Sequence, residues 1–130
     1  MAKFYYQVKQ YGKVLELLQQ VTYNDIFYNL DSKVTLLKTY YELDLYDLAF
    51  SQMDSFKQYL NRKGIMAYHK QNYQNNLKYV KRLLNLNTYD KVRKKVLYDQ
   101  ITSEQTLTEK KWLLEKLEQL GYNPVTSPTA

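Results

Sequence analysis

No proline precedes Pro124 in this chain of 130 residues, and only three glycines, Gly12, Gly64 and Gly121, interrupt it. Proline removes a backbone donor and clashes with the preceding helical turn, while glycine loosens the chain. A sequence nearly free of both can sustain long helices, and the abundance of Leu, Lys, Gln and Glu favours them. The expected class is therefore all-α. Apolar residues make up 45% and charged residues 25%, enough for a core in a single domain and too apolar for a disordered chain. There is no cysteine, which excludes disulfides, thiol catalysis and thiolate metal sites. No apolar run approaches the roughly 20 residues of a membrane-spanning helix. The first ten residues mix Lys with Tyr and lack a signal-peptide core. A cytoplasmic location is expected on that basis.

The chain repeats itself. Tyr5-Tyr6, Tyr11, Val14, Leu18 and Val21 recur as Tyr40-Tyr41, Tyr46, Ala49, Met53 and Phe56, each displaced by 35 residues, as from Tyr11 to Tyr46. A looser third copy is expected to begin at Tyr89-Asp90, with Val92 and Val96 in the packing positions. Period and punctuation predict helices over about 2–9, 12–21, 24–43, 46–62, 65–86 and 89–101. A last helix is expected to open at the capping-box spacing Thr106-x-x-Glu109 and to stop at Gly121. Asn24 and Thr88 are expected N-caps. Helix three should bury Ile26, Leu30, Val34, Leu37 and Tyr41, and helix five Met66, Tyr73, Leu77, Val80 and Leu84. Short connections make neighbouring helices antiparallel. Repeated hairpins of this kind stack side by side, because one pair alone cannot bury its apolar face. The expected architecture is a stack of antiparallel helix hairpins, an α-α superhelix of about seven helices.

These residues resemble a tetratricopeptide repeat, a helix pair recurring every 34 residues or so with small and aromatic residues at fixed offsets. Leu36, Tyr40, Tyr41, Tyr46, Ala49, Met53 and Phe56 carry the clearest match. Ala49 stands where that motif has a small residue, and Tyr46 where it has an aromatic at the turn. Ala2, Tyr5, Tyr11, Val14, Leu18 and Val21 form the first copy. The motif's turn glycine is replaced by Lys9 and Asp44, its helix-ending proline is missing, and Phe56 takes a position that is usually Ala. The match covers about residues 2–60. More loosely, the chain is similar to the C-terminal part of longer bacterial tetratricopeptide-like proteins of unassigned function, an impression supported by the run Lys111 to Lys116. The resemblance implies one helical-repeat domain over 1–121, with repeats at about 2–22, 25–62 and 65–101, a terminal helix over 106–120 and a frayed tail over 122–130. It implies a protein-binding role and no catalytic residue.

The first copy lacks the opening turns that Ser32 to Leu37 supply in the second, so either the chain is a fragment of a longer solenoid, which is the favoured expectation, or it begins with a stunted helix. Helix one, with Phe4, Tyr5, Tyr6 and Val8 together, is too apolar for a cap, which points to a homodimer through that end.

The net charge of +6 is concentrated. Residues 61–95 hold ten basic side chains against one acidic, Asp90. Lys78, Lys81, Arg82, Lys91, Arg93, Lys94 and Lys95 are the candidate basic patch. They could meet an acidic protein or, as the alternative, a nucleic acid stacked on neighbouring tyrosines. They could equally solvate the outer faces of two helices. Fifteen tyrosines divide into packing positions (Tyr5, Tyr11, Tyr40, Tyr41, Tyr46, Tyr73) and peripheral ones such as Tyr68 and Tyr79. The tetratricopeptide-like resemblance implies that the first helix of each pair lines the concave face. Lys33, Lys38, Tyr40 and Glu42 on helix three, with Tyr68 and Tyr79, are thus the candidate partner-binding residues. Tyr5, Tyr11, Val14, Tyr41, Tyr46, Ala49 and Phe56 are the expected repeat-packing residues.

Nothing in the sequence assembles a catalytic, metal or cofactor site. His69 is the only histidine and sits at the margin of an apolar face. The glycines are isolated, so no phosphate loop exists. Asp44 and Asp47 flank a turn, where they suit a helix N-terminus. Trp112 reads as a packing anchor of the last helix.

Overall fold

The computed structural model describes residues 2–20, 26–62 and 64–122. It is all-α. Among the described residues there are seven helices and no strand: α1 Ala2–Gln7, α2 Tyr11–Gln20, α3 Ile26–Glu42, α4 Tyr46–Arg62, α5 Ala67–Leu84, α6 Lys91–Ser103 and α7 Lys110–Gln119. The expected N-cap Asn24 and the repeat position Val21 lie outside the described residues. The chain groups into two compact units, Met1–Tyr59 and Leu60–Ala130.

In the first unit the 35-residue repeat is written into the backbone. After α1, the amide of Lys9 donates to Tyr6 O at 3.0 Å and that of Gln10 to Tyr5 O at 2.8 Å. After α3, Asp44 donates to Tyr41 O at 3.1 Å and Leu45 to Tyr40 O at 2.9 Å. Both are Schellman turns, in which a left-handed residue satisfies the last carbonyls of a helix. Lys9 has φ 62° and Asp44 φ 57°, the two positions where a glycine would be at ease. The carbonyls just before the next helices are used in register as well, Gln10 O accepting from the Val14 amide and Leu45 O from the Ala49 amide. Val14 and Ala49 are fully buried, and Leu18 and Met53 nearly so.

The two copies differ at the surface. Tyr11 is half-buried and meets the Tyr6 ring edge-on at 5.4 Å. Tyr46, expected to pack, is 49% exposed, and its hydroxyl turns back to donate to Asp44 Oδ1 at 3.0 Å. Tyr5 and Tyr41 are half-buried, and Phe56 is fully buried.

Helix α3 is the spine of this unit. Leu30, Val34 and Leu37 lie at the i, i+4, i+7 spacing of one helical face and are buried, each worth about 1.5–3 kcal/mol of transfer free energy. Tyr40 is buried, where Tyr41 had been expected. Thr35 and Thr39 are buried too, which costs little because their hydroxyls donate to the carbonyls of Asp31 and Thr35 one turn back. Helices α1 and α2 pack on α3 and on each other. Helix α4 pairs with α3 through Gln52, which donates to Lys33 O, and Asn29, which donates to the Tyr59 hydroxyl.

The second unit packs α5, α6 and α7 against one another. Helix α5 buries Leu77, Val80 and Leu83 as its stripe, and also Asn75, Asn76 and Tyr79. Met66, expected inside, is 71% exposed, and Tyr73 and Leu84 are only half-buried. Helix α6 turns Leu97 and Ile101 inward. The expected third copy therefore does not reproduce the packing of the first two. Val92 is 74% and Val96 49% exposed, where Ala49 and Met53 are buried.

Two helix starts differ from expectation for identifiable reasons. Asp90, and not Thr88, caps α6, its Oδ1 accepting from the Arg93 amide at 2.9 Å. Helix α7 begins at Lys110, behind a left-handed Glu109 (φ 63°), and not at a Thr106 capping box. The loop before it is held by the buried amides of α5. Asn75 donates to Thr106 O at 2.8 Å and Asn76 to Thr108 O at 3.0 Å. Carbonyls committed sideways to α5 cannot point along a helix axis, so residues 104–109 run as a bent loop against α5. At the far end, α7 closes in a third Schellman turn at Gly121 (φ 100°). Tyr122, expected to fray, is buried with its ring 4.8 Å from that of Tyr98.

Candidate functional site

The basic residues of the second unit have three different fates. Lys94 is buried, 7% exposed, and its ammonium donates to Leu120 O at 2.7 Å. It caps the C-terminal carbonyls of α7, where a cation is favoured by the helix dipole, and is no part of an open patch. Lys95 lies outside and pairs with Asp99 one turn on, at 3.1 Å. Lys91 is exposed at the head of α6.

The remaining cations converge on the seam between α5 and α6. Lys81, Arg82, Asn85 and Leu86 from one side, with Arg93, Val96, Leu97 and Gln100 from the other, line a groove of about 450 Å³. Its floor is aliphatic, because α6 is apolar on two faces. Leu97 faces the core, and Val96, half exposed, faces the groove. Below this basin lies a second of about 500 Å³, lined by Lys78, Tyr79, Arg82, Asp99, Gln100, Ser103 and Glu104. Arg82 and Gln100 line both basins, and the Arg82 guanidinium donates to Gln100 Oε1 at 2.9 Å across the seam. That bond is the divide.

The two basins differ in electrostatic balance. In the lower one the charges are met. Glu104 accepts from the Tyr79 hydroxyl at 2.8 Å and from Asn75 at 3.2 Å, and lies 3.9 Å from the Lys78 ammonium. Burial, followed by the bond to Glu104, holds the Tyr79 phenol above its ordinary pKa. In the upper basin, Arg93 touches the N-cap Asp90 at 3.4 Å. Arg82 is held by a neutral amide, and Lys81 is exposed. Neither makes an ion pair among the described residues. The upper basin thus offers cationic donors over an aliphatic floor.

The remaining candidate residues lie elsewhere. Tyr79 is only 3% exposed, with Lys78 at 4.7 Å and Arg82 at 5.4 Å over its ring, so its face is already covered. Tyr68 is 61% exposed beside His69, and does not line the groove. On α3, Lys38 and Tyr40 are buried, which corrects their expected place on an open wall. The Lys38 ammonium sits 4.3 Å over the Tyr6 ring. Lys33 lies 4.8 Å over Tyr59, and Glu42 accepts from the Tyr6 hydroxyl at 3.4 Å. Lys33, Lys38 and Glu42 thus join α3 to neighbouring helices within the first unit. Trp112 is buried on α7 with Lys116 over its ring.

Val96 and Gln100 were not among the sequence candidates. The available signal was the pairing of Val92 and Val96 with Leu97 and Ile101, two apolar stripes on one short helix, of which a three-helix unit can bury only one. Among the described residues no group of three or more His, Asp or Glu is placed to hold a metal ion, and no helix is long and apolar enough to cross a membrane. No protein-family model, no curated protein and no solved structure matches this chain.

Proposed function

We propose that this chain is a non-catalytic protein-interaction module of the tetratricopeptide-like kind, acting in the cytoplasm, with the α5–α6 groove as its docking surface. The observation that supports this most is the upper basin, an open trough whose floor is Val96 and Leu97 and whose rim is Lys81, Arg82 and Arg93. Exposed aliphatic surface rimmed by charge is the usual composition of a protein contact. The recurrence of the Schellman turns at Lys9 and Asp44 supports the repeat character.

Nucleic-acid binding fits the groove less well. Single strands need aromatic faces on which bases stack, and Tyr79, the one aromatic among the described residues that line either basin, has its face covered. Lys94, buried as a helix cap, is withdrawn from any phosphate contact.

A photoreactive amino acid placed at Val96 in the intact chain tests the reading. It is expected to crosslink a protein that can be rebuilt as a complex from purified components, and the yield should fall when Arg93 is changed to Glu. The same probe at Asp54, on the exposed side of α4, should give no such product. Equal labelling from both positions would defeat the assignment of the groove. A single-stranded oligonucleotide that bound at low salt, with affinity falling steeply as salt rises, would favour the alternative.

A further inference from the structure

We infer that the upper basin of the α5–α6 groove is selective for an acidic linear motif, an aliphatic side chain with carboxylates beside it, and that Gln100 occupies the place of one of those carboxylates in the free protein. This rests on the proposed docking role and specifies its partner's chemistry.

The argument starts from Arg82. A guanidinium prefers a carboxylate, which can accept two of its parallel N–H donors and gives a charge-assisted bond roughly twice as strong as a neutral one. Arg82 instead donates to the amide oxygen of Gln100 at 2.9 Å, on the exposed face of both helices. That bond has a charged donor but a neutral, single acceptor oxygen and lies open to solvent, so a carboxylate that offers two oxygens and a full negative charge can replace it. The ion pairs of this unit go elsewhere: Glu104 to Lys78, Asp99 to Lys95, and Asp90 to Arg93. Lys81 rises from the preceding position of α5, and Arg93 faces both from α6. An incoming carboxylate thus meets two cations that have no carboxylate partner among the described residues and a third already shared with the half-exposed Asp90.

The floor sets the second requirement. Val96 is 49% exposed, and Leu86 and Leu97 lie beside it, so an aliphatic side chain entering the trough covers surface now facing water. The size sets the third. From Arg93 to Gln100 is two turns of α6, about 10 Å, and the basin measures about 450 Å³. That is room for one apolar anchor and its flanking residues, a short motif and not a domain face.

Fluorescence anisotropy against labelled twelve-residue peptides tests this. The peptides carry one central Leu, with two Glu placed in turn at every pair of neighbouring positions. At least one arrangement should bind, and its Glu→Gln and Leu→Ser versions should each bind roughly tenfold more weakly. In the protein, Gln100→Glu supplies Arg82 with an internal carboxylate and should weaken binding by a similar factor. Gln100→Ala, which frees Arg82, should leave it equal or tighter. Arg82 and Gln100 are exposed, so these variants keep the fold, checked by circular dichroism. The inference is overturned if no arrangement binds, if the Glu→Gln peptides bind equally well, if Gln100→Glu binds as the parent does, or if a labelled single-stranded oligonucleotide competes for the same site more strongly than any peptide. In the first three cases a rebuilt partner crosslinked from Val96 would leave the docking role intact and remove only the acidic specificity.

Discussion

Lys94 and Lys95 are neighbours in sequence with identical chemistry, and the structure assigns them opposite consequences. Lys94→Met keeps most of the aliphatic stem, which is buried, and deletes the ammonium that donates to Leu120 O at 2.7 Å. Hydrogen bonds made by charged groups contribute about 1.5–3 kcal/mol when buried. Here the acceptor is also a terminal carbonyl of α7, left without that donor in the variant. The expected loss is about 2 kcal/mol. Lys95→Met removes only a solvent-exposed pair with Asp99 one turn away, which water screens, so stability should stay close to that of the parent. Each substitution removes one positive charge, so long-range effects cancel in the comparison. The single tryptophan, Trp112, is buried on the helix that Lys94 caps, so its fluorescence reports this region directly. In urea, with a slope of about 2 kcal/mol/M, the Lys94 variant should unfold at a midpoint lower by about 1 M, and the Lys95 variant close to the midpoint of the parent. Equal midpoints for the two variants would refute the assignment of Lys94 as a cap, and with it the separation of structural from available cations.

Three further outcomes are expected. Lys9 is left-handed at φ 62°, a conformation costing an L-residue roughly 1–2 kcal/mol, so Lys9→Gly should stabilise by about 0.5–1 kcal/mol after the added freedom of the unfolded chain is counted, and Lys9→Val should destabilise; both are read by chemical denaturation. Ala49 is fully buried, so Ala49→Leu should overpack and cost about 1–3 kcal/mol, measured by thermal unfolding, and a neutral result would argue against the alignment of the repeats. Burial, with lesser contributions from Tyr46, Glu42 and Asp44, pushes Tyr41 up to about 12, above the ordinary phenol value near 10. The folded chain therefore keeps a proton that the unfolded chain releases, so this contribution is present below pH 10 and is lost as pH rises through 12; denaturation midpoints of Tyr41→Phe should fall less steeply over that window than those of the parent.

The helices were legible because their signals are local. The scarcity of breakers, the 35-residue echo and the apolar spacing of Leu30, Val34 and Leu37 all act within a turn or two. Even the left-handed turns were marked, since Lys9 and Asp44 are the positions where a repeat of this kind would have glycine. What the sequence concealed depends on contacts between helices distant in the chain. Asn75 and Asn76 on α5 give no sign that they will seize the carbonyls of Thr106 and Thr108, some thirty residues later, and so cancel a well-formed capping box. The spacing of Tyr89, Val92 and Val96 copies the first units faithfully enough, yet the helix rotates it outward because Leu97 and Ile101 offer a better inner face.

The same limit governs the charge. Ten basic residues within 61–95 describe an excess but not its address. A lysine reaches its partner through a long stem, and whether that partner is a carbonyl, a carboxylate or solvent is decided by the helix packed opposite. Lys94 is taken by the end of α7, Lys78 and Lys95 by carboxylates, and Arg93 partly by its own N-cap. Once these are assigned, the diffuse basic segment narrows to Lys81, Arg82 and Arg93 around Val96. The proposed binding role then turns on few cations, which is why adding one carboxylate, by Gln100→Glu, is a sharper test of it than neutralising several surface cations at once.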